Sequence, residues 1–188
     1  MSNLEKATFA AGCFWGVEHI FKKHFNDIKT RVGYIGGLSP NPKYKEVCNG
    51  TTGHAEACQI EFDPTTTTYE TLVEFFYKIH DPTTANRQGP DVGTQYRSAI
   101  FYHSPKQRIL AEKVTNQIQE KLSKEKKLYS GSKVVTEIIE AGKWYDAEDY
   151  HQKYLEKNPF GYEQVQQQVQ QLVQQPVQLH VETQNLSE

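Results

Sequence analysis

A run of five residues, Gly12-Cys13-Phe14-Trp15-Gly16, separates an apolar strand-like stretch (Ala7 to Ala11) from an amphipathic helix-like stretch (Val17 to Phe25). The chain must therefore turn from a strand into a helix at this point. Gly12 suits a tight turn because it has no Cβ. Cys13 then stands at the first turn of a helix, where unpaired N–H groups and the positive end of the macrodipole favour thiolate over thiol. Such a cysteine titrates between roughly 3.5 and 7.5 rather than near about 8.5. The expectation is a reactive sulfur, with Phe14 and Trp15 beside it to line an apolar pocket. The alternative is a buried structural cysteine, since free Cys is among the most buried residue types.

The same reading of period and punctuation extends along the chain. It predicts a strand over Lys6 to Ala11, a helix over Phe14 to His24 and a strand over Ile28 to Ile35 that ends at Gly36-Gly37. Turn residues follow in Leu38 to Pro42, then a short helical turn at Tyr44 to Cys48. His54 to Phe62 alternates as a strand with one apolar-leaning face. Thr68 is placed to cap a helix from Tyr69 to His80, and Asp81-Pro82 ends it. Thr83 to Gln95 has almost no aliphatic residues and reads as a long surface loop of the kind that carries sites. Arg97 to His103 reads as a strand, and Ser104-Pro105 opens a helix to Lys121. A strand over Val134 to Ile139 and a short aromatic helix over Ala147 to Leu155 complete the pattern. The predicted architecture is an α+β two-layer sandwich, a mostly antiparallel sheet covered by helices, with a ferredoxin-like core and additions. Residues 1–162 form one domain in this reading, and the Gln-rich residues 163–188 form a low-complexity tail, disordered or partly helical.

Charge and cysteine usage exclude several classes of function. The 188 residues carry a formal net charge of −2 with both signs interspersed, which gives no footprint for nucleic acid. The three cysteines are an odd number confined to the first third of the chain, so a secreted disulfide framework is not expected. No apolar stretch approaches the ~20 residues that span a bilayer, and the first residues lack a signal core. The expectation is a cytoplasmic, reducing setting and a monomer. Cys48, His54 and Cys58 lack a fourth partner and a Cys-x-x-Cys spacing, so no metal site is expected.

Several segments agree in order and spacing with one known family. Gly12 to Gly16, Val32-Gly33-Tyr34 with Gly36-Gly37, Tyr44 to Cys48, Gly53-His54-Ala55-Glu56, His80 to Thr84, Gly89 to Ser98 and Tyr145 to His151 closely resemble the A-type peptide methionine sulfoxide reductases. The resemblance runs from about Phe9 to Tyr162.

It implies an oxidoreductase that reduces methionine S-sulfoxide, protein-bound or free. Cys13 would attack the sulfoxide sulfur, and Glu56, flanked by Ala55 and Ala57, would supply the proton that the departing oxygen needs. Read without the motif, Glu56 is an exposed strand carboxylate. Tyr44 and Tyr96 match positions that hydrogen-bond the sulfoxide oxygen, although eleven tyrosines in the chain make core roles common. Phe14 and Trp15 would receive the methyl group, which selects the S epimer. Asp91 matches a residue at the substrate's edge, or simply turns the Pro90-Asp91 loop.

The product is a sulfenic acid that another thiol must reduce. The family's resolving cysteines near the C-terminus are missing, since none follows Cys58. Cys48 or Cys58 could resolve, but both are expected to be mainly structural. Direct reduction by thioredoxin, glutaredoxin or a small thiol is the favoured route, with no bound cofactor. Two other functions fit parts of the pattern: a cysteine-dependent acyl hydrolase using one of the scattered histidines, and a binder of oxidised peptides without turnover.

Overall fold

The computed structural model describes residues 3–125 and 127–160, so the Gln-rich tail lies outside the described residues. In chain order, β1 (Glu5–Ala11) leads through Gly12 into α1 (Phe14–His24), followed by β2 (Lys29–Ile35) and a short α2 (Tyr44–Cys48). Next come β3 (Ala55–Phe62), α3 (Tyr69–Lys78) and two two-residue strands, β4 (Arg87–Gln88) and β5 (Asp91–Val92). A 3-10 turn at Thr94–Tyr96 precedes β6 (Ser98–Tyr102), α4 (Pro105–Lys124), β7 (Glu137–Glu140) and β8 (Tyr145–Asp146). A second 3-10 turn (Asp149–His151) and α5 (Tyr154–Lys157) close the described chain.

Six strands form one sheet in the order β7-β6-β1-β3-β2-β8. Every pairing is antiparallel except β6 with β7. The register fixes where the site can form. Phe9 pairs with Cys58 in β3, Ala11 pairs with Ser98 in β6, and Ile35 pairs with Ala55. The end of β1, the start of β3, the end of β2 and the start of β6 therefore share one edge of the sheet, and Cys13, Glu56 and Tyr96 flank it.

α1, α3 and α4 cover one face. Phe9 from β1 stacks with Phe21 of α1 at 5.5 Å and with Phe76 of α3 at 5.2 Å between ring centroids. Phe9, Phe21, Ile60, Leu72 and Phe76 are sealed in this core, and full burial of each such side chain is worth roughly 1.5–3 kcal/mol. The caps fall where the sequence placed them. The Thr68 hydroxyl accepts from the Thr71 N–H at 3.1 Å, and the Ser104 hydroxyl accepts from the Gln107 N–H at 3.2 Å with Pro105 in the first turn.

Three predicted elements are corrected. β3 is buried on both faces, not one, because a layer packs on each side of this central strand. Its second face, with Ala55 and Ala57, packs with Ala10, Ile35, Ala99 and Phe101 under Ile139, Ala141 and Trp144. That layer is a crossing segment rather than a helix. It approaches so closely that a Cβ on Gly33 would overlap the Tyr145 carbonyl and the Trp144 ring. The predicted loop over Thr83 to Gln95 contains the β4–β5 hairpin, with Gln88 opposite Asp91. The predicted helix over Ala147 to Leu155 is broken by Lys153, whose φ of 53° is left-handed. The Gln152 amide is drawn instead to the Val32 N–H and carbonyl at 2.9 and 2.8 Å, and the Lys153 N–H to Glu18 at 2.8 Å.

Candidate active site

Cys13 is the residue before α1, and its sulfur sits at the shared edge of the sheet, half-buried. Gly12 makes the turn with φ of 93°, and a Cβ there would lie 2.8 Å from Gln88 Cβ and Cγ. Only glycine meets both conditions. The N–H groups of Trp15 and Gly16 pull the Cys13 thiol down as a helix start should. They lose to burial and to the negative charges of Glu56 and Asp91, which together hold the thiol well above its ordinary value. The pull of the helix start toward thiolate is thus present but outweighed. The helix terminus supplies partial charges, whereas a desolvated site with a nearby carboxylate opposes a full one.

Glu56, 1% exposed, enters from the start of β3. The reading of Glu56 as an exposed strand carboxylate therefore does not hold. One of its oxygens accepts the Phe14 N–H at 3.1 Å. Burial, opposed by that bond and aided by Asp91, raises its pKa to about 8. Near neutrality it is a protonated acid beside a sulfur, and protonation removes the charge that most directly disfavours a Cys13 thiolate.

Tyr96, half-buried after the β4–β5 hairpin, is held protonated by burial and by Glu56, Cys48, Asp91 and Cys13, all of which act on its hydroxyl. Tyr44 opens α2, and its hydroxyl and the Cys48 sulfur one turn later act on each other's ionisation. Burial also raises the Tyr44 hydroxyl. Asp91 is itself raised by burial. The structure thus brings Cys13, Glu56, Tyr44, Tyr96, Asp91 and Cys48 into one cluster. Cys58 stays apart, 0% exposed in the core beneath α1.

The aromatic wall differs in detail from expectation. Phe14 is 1% exposed, packed against Tyr34 at 5.8 Å and His151 at 5.2 Å. Trp15 is half-buried and stacks on Tyr154 at 3.9 Å, while its indole N–H donates to His151 Nδ1 at 2.9 Å. Because indole only donates, the His151 proton is assigned to Nε2. That atom is buried without a hydrogen-bond partner, 3.8 Å from Glu148. Glu148 accepts from the Tyr34 hydroxyl at 2.8 Å and the Tyr44 N–H at 3.0 Å. Sequence reasoning assigned no role to His151, Glu148, Tyr34 or Tyr154. The first two lie in a segment that carried the resemblance, but nothing in their spacing shows that the chain folds back onto Trp15.

Among the described residues no histidine is one of the groups that act on the Cys13 thiol. His54 contacts the Gly37 N–H and the Ser39 carbonyl, His80 the Phe76 carbonyl and Ser98, His103 contacts Thr8, and His151 contacts Trp15. Nor does any group of three His, Cys, Asp or Glu among those residues converge as metal ligands.

Residues 5–181 match the family described as Peptide methionine sulfoxide reductase. A relative from Methanothermobacter thermautotrophicus, named Peptide methionine sulfoxide reductase MsrA, is 54% identical over 162 residues, which is 85% of this chain and 90% of the relative. Reduced Mxr1 from Saccharomyces cerevisiae is a structural neighbour with TM-score 0.75 and 44% identity, covering 85% of this chain and 88% of Mxr1. Mxr1 in complex with Trx2 matches at TM-score 0.54 and 31% identity, covering 80% and 84%. A six-stranded, mostly antiparallel sheet with a buried acid at its end, together with these likenesses, defines an oxidoreductase. More narrowly, the chain belongs to the peptide methionine sulfoxide reductase family, in its A-type branch, and is an enzyme of that kind.

Proposed function

We propose that Cys13 reduces methionine S-sulfoxide, in oxidised proteins or as the free amino acid, by attack on the sulfoxide sulfur. The observation that carries this reading is Glu56: a buried carboxyl, raised to about 8, that accepts the N–H of Phe14, the residue after Cys13. Glu56 gives its proton to the sulfoxide oxygen as the sulfur of Cys13 attacks, and the thiol proton returns the carboxyl to its starting state. The methionine S–O bond breaks and an S–O bond forms on Cys13, so thiol plus sulfoxide become sulfenic acid plus thioether. Tyr96 and Tyr44 steady the oxygen as charge gathers on it. Phe14 and Trp15 face the methyl group and Asp91 the substrate's edge, a division that favours the S epimer.

An external thiol of the thioredoxin or glutaredoxin kind, or a small thiol, then resets Cys13. The first thiol forms a mixed disulfide and releases water, and a second frees Cys13. The complex of the yeast relative with Trx2 supports this route. Cys58, sealed in the core, is poorly placed to compete, and Cys48 is the internal alternative. The strand order β6-β1-β3-β2 with α1 and α3 as crossovers supports reading the catalytic domain, residues 1–162, as ferredoxin-like with β7 and β8 added at the edges. No helix among the described residues is long and apolar enough to cross a membrane, consistent with the cytoplasmic setting proposed from cysteine usage.

Mixing the reduced protein with S-sulfoxide and no external thiol tests the reading. One methionine per chain and one added oxygen on Cys13 are expected. A bridge to Cys48 would move the reset inside the chain. No methionine at all would overturn the reading in favour of a binder, and Cys13→Ser should abolish the reaction.

A further inference from the structure

Gln88 belongs to none of the groups given a chemical role above, yet it joins three parts of the site. Its amide grips the backbone N–H and the backbone carbonyl of one residue, Asp81. The Oε1 atom accepts the Asp81 N–H at 3.0 Å, and Nε2 donates to the Asp81 carbonyl at 2.9 Å. The base it grips is firm, because the Asp81 carboxylate accepts from the N–H and hydroxyl of Thr83 at 2.9 and 2.5 Å and of Ser130 at 3.0 and 2.5 Å. Its aliphatic stem lies on Gly12, the residue before the nucleophile, close enough to leave no room for a Cβ. Its cross-strand partner in the β4–β5 hairpin is Asp91. The Gly93 N–H closes the hairpin on the Asn86 carbonyl at 2.9 Å, so the two strands move together.

We propose that Gln88 is a positioning residue for the sulfoxide step: its grip on the Asp81 backbone holds Asp91 at a set distance from Cys13 and Glu56. The inference rests on the proposed reaction. Asp91 is the group through which Gln88 acts, since its charge reaches the Cys13 thiol, the Glu56 carboxyl and the Tyr96 hydroxyl. A hairpin of two-residue strands has too few ladder bonds to hold such a charge in place. The amide clamp supplies the missing constraint, and misplacement of a reacting group by about 1 Å can cost as much as ~100-fold in rate.

A double-mutant cycle on the full chain separates positioning from general loosening. Gln88→Met keeps the stem on Gly12 and removes both amide bonds. Its single-turnover rate with methionine S-sulfoxide should fall about tenfold in the otherwise native chain, but less than about twofold when Asp91→Asn is already present. A loss below about twofold in the native background, or equal losses in both backgrounds, would overturn the inference. Should Gln88→Met fail to fold, Gln88→Glu keeps the acceptor for the Asp81 N–H but turns the donor into a group that repels the Asp81 carbonyl. The same unequal losses are expected of it, and the same two results count against it. If the unmodified chain makes no methionine, the proposed reaction fails. An active unmodified chain that ignores Gln88 refutes only the positioning role.

Discussion

Glu56 shows at the scale of one residue how function and stability diverge. Its carboxyl stays protonated until about pH 8, so the single-turnover rate should fall as pH rises through that value. The Cys13 thiol, held far above the same range, does not offset the loss. Between its ordinary 4.5 and about 8, the folded chain keeps a proton that the unfolded chain has released. Stability therefore declines with rising pH across that window. Glu56→Gln removes the titration. It should slow the sulfoxide step while substrate binding stays largely intact, and its stability relative to the unmodified chain should grow from pH 5 to pH 8 in urea denaturation. Parallel pH dependence of the two chains would contradict this. That Cys13 and Glu56 meet was implied by the motifs, and the pull of the helix start on the thiol was legible in the turn. The upward pull on the thiol was not legible, because burial and two carboxyls 43 and 78 positions away oppose ionisation, and no local pattern records their approach.

Among elements, the long helices with capping residues were the most readable. α1 and α3 carry broad apolar stripes and α4 a narrow one, and their starts are marked by the Cys13 turn, Thr68 and Ser104. Thr68→Ala should cost about 1 kcal/mol by denaturant unfolding, since the Thr71 N–H loses its acceptor. Its single-turnover rate should be unchanged, because α3 begins at the end of the sheet opposite Cys13. Elements set by their neighbours were less readable. Two-residue strands such as β4 and β5 are too short to show a period. The segment after Tyr145 has aromatic residues at helical spacing, but the pull of Val32 on Gln152 and of Glu18 on Lys153 wins over that preference.

For the whole molecule, the decisive contacts join the chain's beginning to residues 145–157. Glu18, buried on α1, accepts from the Thr30 hydroxyl at 2.8 Å and from the Lys153 N–H at 2.8 Å. Burial raises its own pKa. Glu18→Ala leaves both donors without a partner, a cost of about 1–3 kcal/mol by urea denaturation. Faster tryptic cleavage after Lys153 should accompany it. A variant as stable and as resistant as the original would show that α1 does not anchor this segment. The α+β class followed from alternating elements, whereas the edge strand β8 and the closure of His151 on Trp15 depend on tertiary contacts alone. The latter contact spans 136 positions. A ribosome adding ~5–20 residues per second needs roughly 7–27 s to cover that interval. Throughout it, the nascent chain carries Cys13, the proposed nucleophile, as an unshielded thiol with an ordinary pKa of about 8.5, vulnerable to peroxide before its pocket has been made.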